Sequence, residues 1–67
     1  MNIALFTEEE IENGLGPGDP RFVHVRKVLR LGFGDPFKAG VMDGPLGTAS
    51  FLEGIGGNVV IRFEPTG

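Results

Sequence analysis

The chain has 67 residues, a formal charge of -3 at neutral pH, one His and no Cys. A chain this short forms one small domain that buries only about 60% of its unfolded surface, so its stability is marginal and a partner surface is the expected supplement. The absence of Cys excludes a disulfide framework and any thiolate metal site and suits a reducing compartment. The opening "MNIALFTEEE" has neither the basic start of a signal peptide nor the length of a membrane span, which leaves a cytoplasmic location as the expectation.

In chain order, "NIALF", Asn2 to Phe6, is short and apolar and reads as a first strand. Thr7 followed by Glu10 fits a capping box for a turn of helix that Gly14 ends. "NGLGPGDP" is dense in breakers and reads as loop. Asp19 as cap, Pro20 at the first helical position and Gly32 beyond the far end then predict the one main helix, Pro20 to Leu31. "GFGD" is a turn. Extended stretches follow at about Pro36 to Met42, Thr48 to Leu52 and Asn58 to Phe63, joined by "DGPLG" and "EGIGGN", the pattern of an antiparallel meander. Asp43-Gly44 is the expected hairpin pair, and its tip is a candidate contact for RNA or a neighbouring domain. In "VVIRFE", Val59, Ile61 and Phe63 alternate with Val60, Arg62 and Glu64. The fold class expected is mainly β with one helix (α+β), a small half-open barrel plugged on one side by that helix, spanning residues 1–67 as one domain.

Arg21, Arg26, Lys27 and Arg30 fall within ten residues of this acidic chain, and only Lys38 and Arg62 lie elsewhere. At about 100° per residue, Phe22, Val25, Val28 and Leu29 share the side that faces the core. Arg26, Lys27 and Arg30 occupy the other. Arg26 and Arg30, four apart, repel each other by a few tenths of a kcal/mol with no acid placed to relieve them. A solvated face whose cations favour the helix C-terminus accounts for such a pattern. A phosphate-contacting surface accounts for it too, because Arg forks and Lys point charges displace counterions from a nucleic acid backbone.

Other candidate chemistry is weak. His24 has no nucleophile to pair with, since Ser50 is the only Ser, and a packing or anchoring role at the core margin is expected. Glu8, Glu9, Glu10 and Glu12 spread around one short helical turn and read as a solvated helix start rather than a metal cluster. "GLGPGD" and "GIGGN" lack the Gly-Lys-Ser/Thr ending of a phosphate loop and read as turns.

"HVRKVLRLGFGD", His24 to Asp35, followed by an extended stretch and the "DG" of Asp43 and Gly44, resembles the N-terminal domain of the RsmE family, the 16S ribosomal RNA uracil-N3 methyltransferases. The resemblance covers nearly all of the chain and is specific mainly from His24 to Gly44. It implies a PUA-like barrel that grips ribosomal RNA of the small subunit, followed in the full-length protein by a SPOUT methyltransferase domain that binds S-adenosylmethionine and forms the homodimer. It places Arg30 and Lys27 on the RNA-facing side; Arg26 and Arg21 are added on charge and geometry. No glycine-rich cofactor loop of that second domain is present, so the chain alone is expected to be inactive, an N-terminal fragment with no catalytic, cofactor-binding or metal-binding residues of its own. With no Trp or Tyr, and with six Phe assigned to the core, phosphate positioning rather than base readout is the expected contribution. The other class of function the sequence allows is a protein interaction or dimerisation module docked through the helix or a sheet edge.

Overall fold

The computed structural model describes residues 3–66. Its elements are β1 (Ala4–Phe6), α1 (Glu8–Asn13), α2 (Pro20–Lys27), β2 (Phe37–Val41), β3 (Leu46–Glu53), a 3-10 turn (Ile55–Gly57) and β4 (Val59–Pro65). Of the first predicted strand, Asn2 lies outside the described residues, and pairing begins at Ala4. No helix among the described residues is long and apolar enough to cross a membrane.

The molecule is a small α+β domain with two helices on a four-stranded mixed sheet of order β1-β2-β3-β4. The meander expected of the second half is present. β2 pairs antiparallel with β3 (Phe37 opposite Ala49), and β3 with β4 (Phe51 opposite Ile61). β1 joins the other side of β2 in parallel, Leu5 opposite Gly40, which the local pattern of so short a strand could not specify. The sheet is not closed into a hydrogen-bonded barrel. Its outer strands are nevertheless tied at one end by the chain itself: α1 follows β1, packs on β4, and delivers Leu15 to Val59, where the two backbones exchange hydrogen bonds of 2.8 Å each.

The core is built from the buried residues of the sheet together with Leu15 and Val25, with Phe22 packed against it. Phe6 and Phe51 are fully buried and meet edge to face at 6.0 Å, and Phe22 and Phe37 reach Phe51 at 5.4 and 4.9 Å. Full burial of such a ring contributes about 1.5–3 kcal/mol, so this group is the centre of stability in a chain with little to spare. Val59 and Ile61 are buried, Phe63 is half-buried and Val60, Arg62 and Glu64 are exposed, the alternation expected of that strand.

The capping-box helix is present as expected, with Gly14 at its end: Thr7 accepts from the Glu10 amide (3.1 Å) while the Thr7 amide donates to the Glu10 carboxylate (2.9 Å). It is a full second helix where the expected fold class has one, and two further expectations are corrected. α2 ends at Lys27 rather than Leu31, and Val28 and Leu29 are exposed at 64% and 40%, outside the core. The cause is tertiary, because the Gly34 amide bonds the Phe51 carbonyl at 2.9 Å and Leu31 packs on the core, so the chain must turn back toward β3. The hairpin after β2 centres one residue early, with Asp43 at φ 59 and the Gly44 amide bonded to the Val41 carbonyl at 2.9 Å.

Candidate nucleic-acid interface

α2 carries three of the chain's six Lys and Arg residues, and Asp19 starts it by accepting the Arg21 amide at 2.9 Å ahead of Pro20. From there the four predicted residues part company. The Arg21 guanidinium meets Glu10 at 2.9 and 2.6 Å, Asp19 at 2.9 and 2.8 Å, and the carbonyl of Leu5 at 2.8 Å. This arrangement joins β1, α1 and α2 through one side chain. Hydrogen bonds from Arg21, with the Thr7 amide behind them, lower the Glu10 carboxyl from 4.5 to about 2. Arg21 lowers Asp19 as well, and those same carboxylates raise Arg21 further. The charge of Arg21 is thus matched internally by two acids, and its role here is to staple elements together.

Arg26, Lys27 and Arg30 are exposed and form no ion pair among the described residues. Lys27 closes the helix. Arg30 lies three residues beyond it with φ 57, while the Leu31 amide reaches back to the Val25 carbonyl at 3.0 Å. That is the left-handed position after a helix that glycine normally fills. Arg26 turns the other way, its guanidinium 4.9 Å from the centre of the Phe33 ring and 5.8 Å from that of Phe22. The basic residues expected to share one face therefore divide: Lys27 and Arg30 at the helix end, Arg26 over an aromatic pair, Arg21 against acids.

His24, expected at the core margin, is exposed and lines a cleft with Arg21, Leu29 and Lys38. Glu10 is drawn into the capping box and the Arg21 bridge. Phe33, expected in the core with the other Phe, is 43% exposed and stacks on Phe22 at 5.9 Å. The signal was present in "GFGD": a Phe held between glycines in a turn belongs to no helical or strand periodicity and so to no buried face.

The arrangement can bind polyanions at Lys27 and Arg30 and flat rings at Phe33, and the described residues offer no cluster of acids or His for a metal. No family model and no solved structure matches the chain. It is 46% identical over 52 residues to the ribosomal RNA small subunit methyltransferase E of Treponema pallidum (strain Nichols), a match that covers 73% of this chain and 20% of that protein. The chain spans about a fifth of the length of that relative.

Proposed function

We propose, since the chain belongs to the RsmE family by its likeness to that family's N-terminal region, that it is an RNA-binding domain that positions small-subunit ribosomal RNA for methylation. In this reading Lys27 and Arg30, aided by Arg26, contact phosphates. Arg21 holds the elements that present them. Chemistry belongs to the further length of the relative, where a SPOUT domain, S-adenosylmethionine, the homodimer and a cytoplasmic setting are the corresponding proposals. The PUA-like assignment belongs to the same reading. Its support is the mixed sheet whose outer strands are linked through α1, with Phe22 of α2 against the buried Phe51 ring.

The observation that carries the reading is Arg30. A non-glycine residue in the left-handed region costs about 1–2 kcal/mol, in a chain with little stability to lose. Arg30 is exposed there, without an ion pair among the described residues. Glycine would relax the backbone, so the retention of Arg points to a task for its side chain. Arg30→Gly should hold or raise thermal stability, by up to about 1 kcal/mol, and should weaken binding to a small-subunit ribosomal RNA fragment. Loss of stability with unchanged affinity would turn Arg30 into a packing residue and remove the main support.

A second reading has one observation in its favour. Leu5 and Leu46 are 48% and 57% exposed and sit over Gly40 on the outer face of the sheet, an apolar surface suited to a protein partner. Binding through it would be nearly indifferent to salt.

A further inference from the structure

Beside α2, on the flank away from His24, a cleft of about 370 Å³ is lined by Phe22, Arg26, Phe33, Glu53 and Asn58 among others. Its size is at the small end of ligand clefts, about 300–1,000 Å³, which fits one planar group. We propose that this cleft takes a single unpaired nucleobase of the bound RNA, stacked on the Phe33 ring. The proposal rests on the RNA-binding reading and adds a base site to its phosphate contacts.

The platform is rooted in the core. Phe33 lies over Phe22 at 5.9 Å with the planes 28° apart, and Phe22 in turn abuts the buried Phe51 ring at 5.4 Å. The turn that carries Phe33 is tied down on both sides. The Gly32 amide donates to Asp35 at 2.8 Å, and the Gly34 amide to the Phe51 carbonyl at 2.9 Å. A ring so fixed needs little ordering when a base arrives, and that lowers the cost of binding. The Arg26 guanidinium, 4.9 Å from the Phe33 centre, adds a second flat group of the kind on which unstacked bases lie.

The lining also selects against the alternatives. Phe22, Phe33, Pro17 and Val59 offer a phosphate nothing, and the Glu53 carboxylate opposes the attraction of Arg26, the one cation in the lining, so a phosphate is better placed at the cleft's edge than inside it. That same carboxylate accepts hydrogen bonds from the ring and amine N–H groups on base edges. Asn58 is held by its side-chain amide, which donates to the Asn13 carbonyl at 3.1 Å, so the wall of the cleft is fixed in place.

The chain has no Trp or Tyr, so 2-aminopurine placed in a short single-stranded oligoribonucleotide can be excited without interference from the protein. Stacking on Phe33 should quench it on binding. Phe33→Leu, which keeps the apolar contact with Phe22 but removes the ring, should abolish the quench and weaken binding by between a few-fold and about a hundredfold. Phe33→Tyr should retain both. The salt dependence of affinity should be the same in all three proteins, because no charge is removed. A bound, unquenched base in the wild type overturns the base site, and so does a folded Phe33→Leu that binds and quenches like the wild type; salt-dependent affinity in either case leaves the phosphate reading standing. No RNA binding by the wild type at low salt overturns both. Should Phe33→Leu fail to fold by circular dichroism, the quench in the wild type and in Phe33→Tyr decides.

Discussion

Arg21 and Arg30 have the same side chain and opposite surroundings, and in the immediate sequence only Asp19, two residues before Arg21, separates them. Arg21 is matched by Glu10, eleven residues earlier and on another helix, a pairing that exists only once the chain is folded. The capping box around Glu10 could be read locally; its bridge to Arg21 could not. The consequence is a dependence on pH. Glu10 is lowered from 4.5 to about 2 in the folded chain, so the folded state favours its ionised form. The stability this contributes is fully present above about pH 4.5 and is lost as pH falls toward about 2. Glu10→Gln keeps a side-chain oxygen for the Thr7 amide and removes the titrating group. Denaturant unfolding measured from pH 6 down to pH 2 should show a shallower loss of stability in Glu10→Gln than in the wild type. Parallel curves would mean that the Arg21 bridge is broken in solution.

At the scale of elements, local signals located the strands and the end of α1 at Gly14 well, and misjudged where α2 ends. Residues 59–64 declared themselves because strict alternation has only one buried solution. α2 was overextended because Val28, Leu29 and Leu31 continue a plausible apolar stripe. The position of Gly32 suggested a stop that the contacts of Leu31 and Gly34 impose earlier. The linkage of the outer strands depends on Gly14, which follows α1 at φ 82. A Cβ there would collide with the Val59 carbonyl and lie 2.8 Å from the side-chain Nδ2 of Asn58. The backbone cannot retreat without breaking the Leu15 to Val59 hydrogen bonds. Gly14→Ala should cost more than about 1 kcal/mol, which for a domain of this size lowers the melting temperature by roughly 4–8 °C or more. Gly16→Ala, where a Cβ meets nothing within 4 Å, should stay within about 0.5 kcal/mol of the wild type. Equal melting temperatures for the two would show that the linkage through Leu15 does not hold the outer strands together.

For the molecule as a whole, a net charge of -3 conceals a division of labour. Four of the acids gather at α1, where Glu10 neutralises Arg21, and of the cations without an ion pair among the described residues Arg26, Lys27 and Arg30 lie toward the far end of α2, Lys38 alone on β2. Screening confines each field to about 8–10 Å, so a polyanion approaching Lys27 and Arg30 senses those residues rather than the total. That concentration of charge was legible in "HVRKVLRL", as was the α+β class. The parallel first strand, the open sheet and the exposure of Phe33 were not, since each depends on contacts between distant parts of the chain. The central claim is that Lys27, Arg30 and Arg26 contact RNA phosphates, and the salt dependence of affinity measures it most directly. For three contacts the logarithm of affinity for a small-subunit ribosomal RNA fragment should fall against the logarithm of salt with a slope of about -2 to -3. In a Lys27→Glu, Arg30→Glu double variant, shown to be folded by circular dichroism, the slope should flatten and the affinity at low salt should drop. A folded double variant with the wild-type slope and affinity would contradict the account and leave the apolar surface around Leu5 and Leu46 as the site of function.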